Sequence, residues 1–174
     1  MSNDKIDPAG LPHLNTESGT GLPLAALDDR LVRLHGWWQS LRTGGGLPPR
    51  KAIDPLEFRF ALGHVSLVDV VRGGPEPRFG IRLVGDDSDL RLRVRAARDR
   101  KPAFVDELAD PDARSLIGAT YARVTREAAA SWARRDVVID MRRRIYDAIW
   151  LPFGDDGATV EVIMTGLVYY IPTR

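Results

Sequence analysis

The chain contains no cysteine. That absence excludes disulfides, thiolate nucleophiles, zinc sites with cysteine ligands and chromophores attached through sulfur. Long apolar runs are missing as well: no window approaches the ~18 consecutive apolar residues of a membrane-spanning helix, and the N-terminus has no apolar run typical of a signal peptide. We therefore expect a cytoplasmic protein, since a chain without disulfides suits a reducing compartment.

An excess of one charge is also missing. Lys and Arg number 25 against 24 Asp and Glu, and this balance gives no overall attraction to nucleic acid or to anionic membranes. The motifs GxSxG, GxGxxG, GxxxxGK[ST] and HExxH do not occur, and the 3 histidines show no metal-ligand spacing. We expect a protein that is not an enzyme and that binds no metal, nucleic acid or membrane.

The apolar content is sufficient for a core. Hydrophobic residues make up 44% and charged residues 28% of 174 residues, which indicates one globular domain with some additional length. Residues 1–22 are rich in Gly, Pro, Ser, Asn and Asp and lack periodicity. This composition predicts a flexible tail.

Apolar residues recur every three or four positions over residues 24–43, which predicts a long amphipathic helix. Three successive glycines, 44–46, end it, so residues 23–46 are interpreted as an N-terminal helix with a glycine-rich turn. The helix either packs on the body of the domain or serves as a surface for a second copy or another protein. The interface candidates are Leu27, Leu31, Leu34, Trp37 and Trp38.

Residues 47–174 have an α+β pattern. Asp54-Pro55 and Asp110-Pro111 each combine an N-cap carboxylate with a proline at the first helical position. They predict a short helix over 56–62 and a longer helix that ends near residue 130. Five strands are predicted at 64–71, 78–85, 134–143, 145–154 and 158–172. Two strands, a helical block and three further strands favour an antiparallel sheet over alternating βαβ units.

Two sequence blocks carry a family resemblance: WWQSLRTGGGLPPRKAIDPLEFRFALGHVSLVDV at 37–70 and PRFGIRLVG at 77–85. They resemble the bacterial PAS-like family best known from alphaproteobacteria, whose members share a Trp-containing helix, a glycine-rich turn, LPxRxxIDP and a strand ending in RLVG. The resemblance covers roughly residues 24–170. The chain departs from the family where LRLRVRAARDRKP replaces a helix and a glycine-bearing turn, and where Gly80 stands in place of Tyr.

The resemblance implies a five-stranded antiparallel sheet that follows a long N-terminal helix and has helices between strands two and three. It also implies a signal-transduction module that senses a small ligand in its cavity or signals through protein contacts. Its partner would be a second copy, in a homodimer, or a signalling protein such as a histidine kinase or a regulator. The cofactor stays unknown: cysteine is lacking for the thiol–flavin adduct of light-sensing relatives, while non-covalent flavin and a haem with one axial histidine stay open.

Apolar and aromatic residues on the strands are the candidates for lining such a cavity. Tyr146 and Trp150 share a strand face, and each combines an apolar ring with a polar group, which suits a partly apolar ligand. The full set of cavity candidates is Phe79, Ile81, Leu83, Tyr146, Trp150 and Met164.

Six basic residues fall within the segment 91–101. Arginine forks match carboxylate and phosphate geometry, so Arg91, Arg93 and Arg95 are candidates for an anionic-surface or ligand site. The preceding aspartates favour the alternative of a solvated face that they neutralise.

Further alternatives stay open for the function. One is a protein-interaction or dimerisation module without a ligand. A small enzyme acting through Tyr146 or Asp147, and a nucleic-acid-binding module using the arginine run, have less support.

Overall fold

The computed structural model describes residues 14–19, 21–88, 90–91, 94, 102–139 and 142–170. Its helices and strands are β1 (Leu14–Gly19), α1 (Asp29–Ser40), β2 (Val65–Val71), β3 (Arg78–Val84), α2 (Pro111–Glu127), β4 (Ser131–Ile139), β5 (Arg142–Phe153) and β6 (Val162–Tyr170). Short 3-10 turns lie at Leu24–Ala26, Arg50–Ala52, Arg59–His64 and Val105–Glu107.

The five predicted strands and β1 form one six-stranded antiparallel sheet, which confirms the α+β prediction. The strand order is β1-β4-β5-β6-β2-β3, and every neighbouring pair is antiparallel. The predicted helix between the second and third of these strands is α2. This arrangement is compatible with a PAS-like fold.

The flexible tail predicted for residues 1–22 is wrong for Leu14–Gly19, which forms β1 at the edge of the sheet. Gly19 pairs with Trp132 and Leu14 with Asp136 on β4. Residues 1–13 lie outside the described part of the chain. The strand escaped prediction because an edge strand is held by backbone hydrogen bonds, which require no apolar alternation.

The long helix predicted over residues 24–43 is also wrong in its extent, since α1 begins at Asp29 and ends at Ser40. The side chain of Asp28 caps it by accepting a hydrogen bond from the backbone N–H of Arg30 at 2.9 Å. Residues 24–26 form a separate 3-10 turn. The short helix predicted over 56–62 is a turn followed by the 3-10 segment Arg59–His64.

The apolar stripe of α1 packs on one face of the sheet, which we call the outer face. A Cβ atom added to Gly166 of β6 would lie 2.8 Å from Leu34 Cδ2 and 3.0 Å from Leu31 Cδ2, so this glycine permits the close approach. The indole N–H of Trp38 donates to the carbonyl of Pro152 on β5 at 2.8 Å.

The predicted partner surface on α1 is therefore used within the chain. Leu27, Leu31, Leu34 and Trp38 are buried in the core of the outer face, and Trp37 packs against Phe58 at 5.3 Å between ring centres. Of the two roles considered for this helix, packing on its own domain is the one observed. The apolar stripe correctly predicted that these side chains are buried. Periodicity cannot identify the surface against which they pack.

Replacing Gly166 with valine should lower the free energy of unfolding by about 1–3 kcal/mol, because the new side chain meets the leucines of α1 in a filled core. Urea denaturation followed by circular dichroism measures the change. Gly118→Val is the control: a Cβ at this site on α2 meets nothing within 4 Å, and the expected change is within about 0.5 kcal/mol. If both variants were equally stable, the close packing of α1 on Gly166 would be contradicted.

The opposite face of the sheet, which we call the inner face, is covered by α2 and by the chain that precedes it. The Asp110 carboxylate accepts the backbone N–H groups of Asp112 and Ala113, and Pro111 occupies the first turn, as predicted. Buried residues of α2, among them Tyr121 and Val124, join the inner core. Two cores therefore lie on either side of one sheet.

Candidate functional site

A cavity lies between the inner face of the sheet and α2. Its volume is about 40 Å³. It is lined by Ser88, Leu90, Ile117, Thr120, Tyr121, Arg135, Tyr146, Ala148, Trp150, Thr165 and Leu167. Ligand pockets for drug-sized molecules have volumes of about 300–1,000 Å³, so this conformation accommodates only a few non-hydrogen atoms.

Alternation along β5 places three side chains in the cavity. Tyr146, Ala148 and Trp150 point to the inner face, while Asp147 and Ile149 point to the outer face, because successive strand residues face opposite sides. Tyr146 and Trp150, two of the predicted cavity residues, therefore lie on the same face of the sheet and border this cavity.

Hydroxyl groups of the cavity wall are paired with protein groups. The Tyr121 hydroxyl lies 3.2 Å from Thr165 Oγ1, and Thr120 Oγ1 donates to the carbonyl of Leu116 at 2.8 Å. Ser88 Oγ accepts from the hydroxyl of Ser66 at 3.0 Å. The Tyr121–Thr165 contact ties α2 to β6, and the Ser66–Ser88 bond ties the chain before α2 to β2, whereas the Thr120 bond lies within α2.

Among the described residues that line the cavity, Arg135 on β4 is the charged one. Its side chain is buried, with 8% of the residue exposed, and its Nη2 donates to Thr120 Oγ1 at 3.2 Å. The guanidinium carbon lies 5.6 Å from the centre of the Trp150 ring. Its Nε has no hydrogen-bond partner in the described part of the chain.

Sequence reasoning missed Arg135 although a signal was present. The predicted strand placed Val137 and Ile139 on one face, and Arg135 stands two positions before Val137, in the same phase. The prediction assigned only the apolar residues of that strand to a face. In the structure the side chains of the adjacent Arg134 and Arg135 lie on opposite faces of the sheet.

Four other predicted cavity residues do not line this cavity. Phe79 and Ile81 pack in the inner core, where Phe79 contacts Tyr121 at 5.5 Å between ring centres. Leu83 is 38% exposed and Met164 is fully buried in the outer core, so both placements were wrong.

The physical reasons for those two errors differ. A β-bulge interrupts the pairing of β2 and β3: Leu67 pairs with Leu83 but Val68 pairs with Ile81, so the alternation of β3 breaks there. Met164 belongs to a strand that is apolar on both faces, and composition alone cannot assign a side there.

Of the arginine run, Arg91 alone of the three candidates is described. It forms an ion pair with Asp86 at 2.9 Å, as expected if the preceding aspartates neutralise this segment. Arg93 and Arg95 lie outside the described residues.

The described histidines lie away from the cavity lining. His35 of α1 stacks on Trp38 on the outer side of the sheet, with 5.9 Å between the ring centres. Burial is the larger cause that lowers the pKa of His35, and the charge of Arg42 is the smaller one. His64 Nε2 lies 2.6 Å from Arg30 Nη1. Neither contributes an axial ligand to the inner cavity. Within the described residues no group of three or more His, Asp and Glu is placed to hold a metal ion.

Larger depressions occur at the surface. One, of about 530 Å³, lies between β3 and α2 and includes Phe79, Asp106 and Gly118. Another, of about 300 Å³, lies beside His35 and Arg42. The smaller inner cavity is the stronger candidate site because it contains a buried charge.

A second charged cluster lies on the outer face. The buried carboxylate of Asp147 accepts from Arg134 Nε at 2.7 Å and Nη2 at 2.8 Å, and from the hydroxyl of Tyr170. Arg134 Nη2 also donates to the carbonyl of Ala26 at 2.7 Å. The cluster thereby ties the segment before α1 to β4, β5 and β6.

Burial, and then the hydrogen bond to Asp147, raise the pKa of Tyr170 to about 12. Because the folded-state pKa lies above the ordinary value of about 10, the neutral phenol stabilises the fold. This contribution is complete below pH ~10 and is lost as the pH rises toward 12. Ultraviolet titration should show one tyrosine that ionises near pH 12 in the wild type and is absent from Tyr170→Phe. Urea unfolding should show that the difference in free energy of unfolding between the two proteins decreases as the pH rises from about 10 toward 12. A normal titration of Tyr170 would contradict its burial.

None of the described helices is both long and apolar enough to span a membrane. Comparison with protein-family models, with curated proteins and with solved structures found no match to this chain.

Proposed function

We propose that the chain is a PAS-like sensory or regulatory module. It binds a small ligand between the inner face of its sheet and α2, and it signals through protein contacts without a catalytic output of its own. The observation that carries the proposal is the cavity that combines the buried cation of Arg135 with the rings of Tyr146 and Trp150. Convergent polar groups in a mostly apolar pocket are typical of ligand sites.

Strand β5 offers a physical route from the cavity to α1. Ala148 and Trp150 line the cavity, while Ile149 and Leu151 between and beside them belong to the core that contains α1. A ligand that moves β5 therefore also moves the surface on which α1 packs. The size of the shift is limited by the difference in ligand affinity between the two states.

The chemistry of the cavity wall supports binding rather than turnover. Its lining, as far as the chain is described, supplies hydroxyl, guanidinium and indole groups but no carboxylate or imidazole that could act as a general base. A small enzyme is therefore the weaker proposal.

The output is proposed to pass to another protein, either a second copy of the chain or a signalling protein such as a histidine kinase or a regulator, in the cytoplasm. The protein-interaction module without a ligand is the competing function. The buried stripe of α1 gives it no support, because those side chains already pack within the chain.

Native mass spectrometry of freshly purified protein tests the proposal. We expect an additional mass that disappears on denaturation, and a spectrum that also reports monomer or dimer. Ala148→Val narrows the cavity and should remove the additional mass, whereas Ala133→Val, on the inner face but outside the cavity lining, should retain it. A ligand-free wild type that also shows no thermal shift with a panel of small molecules would overturn the ligand-binding proposal.

A further inference from the structure

The unusual feature of Arg135 is that it is buried and has no counter-ion in the described part of the chain. Among the described arginines it is the one that is buried, and no described carboxylate lies within ion-pair distance of it. Its guanidinium has five N–H donors, and the structure shows one hydrogen bond from it, to Thr120. Nε is buried with no partner among the described residues.

Several exposed arginines elsewhere in the chain have a carboxylate partner. Arg50 bonds to Asp155, Arg78 to Asp106 and Arg143 to Asp136. The adjacent Arg134 has the fully buried Asp147 as its partner. Arg135 is thus a buried arginine that has no counter-ion among the described residues. A buried charge costs several kcal/mol unless it is paired and hydrogen-bonded.

The geometry points to a ligand that supplies the missing negative charge. We propose that the inner cavity binds a small organic monocarboxylate, with its carboxylate on the guanidinium of Arg135 and its apolar part against Trp150 and Leu167. Guanidinium forks match carboxylate geometry and form strong charge-assisted hydrogen bonds. This inference deepens the proposed function and rests on it.

Charge and size select this ligand class. One guanidinium neutralises one negative charge, so a dianion such as sulfate would remain half-compensated in a cavity whose other walls include Leu90, Ile117 and Ala148. The volume of about 40 Å³ suits a short chain of a few non-hydrogen atoms and not a haem or a flavin. A carboxylate with a short apolar chain satisfies both the cation and the apolar wall.

The test is a titration of the full-length protein with acetate, propionate, butyrate and benzoate in a chloride-free buffer, followed by calorimetry and thermal unfolding. The neutral amides of the same acids, sodium chloride and sodium sulfate are the ligand controls. We expect at least one carboxylate to bind saturably and to raise the melting temperature, and its amide to bind at least tenfold more weakly.

Variants link the binding to Arg135. Arg135→Met should weaken carboxylate binding about 10- to 100-fold, as expected for hydrogen bonds to a charged group. Arg135→Lys should retain part of the affinity, since it keeps the charge but loses the fork. Arg126→Met removes the same charge from the exposed end of α2 and should bind like the wild type.

In these titrations, any one of three results would overturn the inference: carboxylate and amide binding with equal affinity, chloride or sulfate producing the same stabilisation, or undiminished binding by folded Arg135→Met. If native mass spectrometry finds a neutral ligand, or one that Arg135→Met retains, the sensory function stands and the carboxylate inference fails. If neither experiment finds any ligand, both fail.

Discussion

Replacing Arg135 with methionine should stabilise the ligand-free protein, raising its free energy of unfolding by about 1–4 kcal/mol. The wild-type residue is 8% exposed and has no described counter-ion, so folding removes a charge from water and returns one hydrogen bond, to Thr120. Methionine matches the arginine side chain as far as Nε and packs against the same apolar walls without that penalty. Equilibrium unfolding in urea measures this free energy. The protein is denatured and refolded beforehand, so that any bound ligand is removed.

The control for this prediction is Arg126→Met, at an exposed position of α2, which should change stability by less than about 0.5 kcal/mol. Stabilisation by Arg135→Met together with loss of carboxylate binding would identify Arg135 as a residue kept for ligand recognition at the expense of stability. A destabilisation of more than about 1 kcal/mol would mean that Arg135 is already compensated in the free protein, which would contradict the proposed need for an anionic ligand.

Replacing Asp147, which points to the outer face between two cavity residues of β5, should change the stability in the opposite direction. Asp147→Asn should lower the free energy of unfolding by about 2–4 kcal/mol, because the change removes the charge that faces Arg134 and replaces one of the two acceptor oxygens with an N–H donor, whereas Arg134 and the Tyr170 hydroxyl use both oxygens. The side chain of Asp147 is 0% exposed, so water cannot take its place. Urea denaturation at neutral pH measures the loss.

Asp136→Asn is the matched control for this second prediction. Asp136 on β4 pairs with the exposed Arg143 in a similar two-point contact, with distances of 2.9 and 2.5 Å. An exposed pair of this kind contributes about 0–1 kcal/mol. Equal effects of the two substitutions would show that the Arg134–Asp147 pair is no more than a surface contact and does not tie the segment before α1 to the sheet.

The sheet could largely be predicted from sequence because its signals are local. Alternation in β5 correctly separated Tyr146 and Trp150 from Asp147 and Ile149. The Asp110-Pro111 pair marked the start of α2. Each of these features depends on neighbouring residues only, and each appears in the structure where the pattern placed it.

The errors come from features that local patterns do not contain. Leu14–Gly19 forms a strand through backbone pairing with β4. No side-chain pattern in this segment predicts that pairing. The bulge between β2 and β3 turned Leu83 out of the predicted face. Both depend on how distant segments meet, so neither could be read from the segment itself.

Arg135 is an intermediate case. Its phase on β4 indicated an inward position, yet a charged residue is expected at the surface. Choosing between these two signals would have required knowing that the inner face holds a cavity that can accommodate a charged group. Positions where local preference and placement disagree are often functional, and in this chain the disagreement falls on the residue that carries the proposed ligand site.

Nuclear magnetic resonance of the Arg135 Nε–Hε group tests the proposed carboxylate site most directly. The ¹H–¹⁵N signal of this group, assigned by its loss in Arg135→Lys, is followed while butyrate is added to ¹⁵N-labelled protein. We predict a saturable downfield shift of the Arg135 proton as its unpartnered N–H gains a carboxylate acceptor, with the Arg134 signal unchanged on the other face. An Arg135 signal that stays in place at saturating carboxylate would contradict the proposed site.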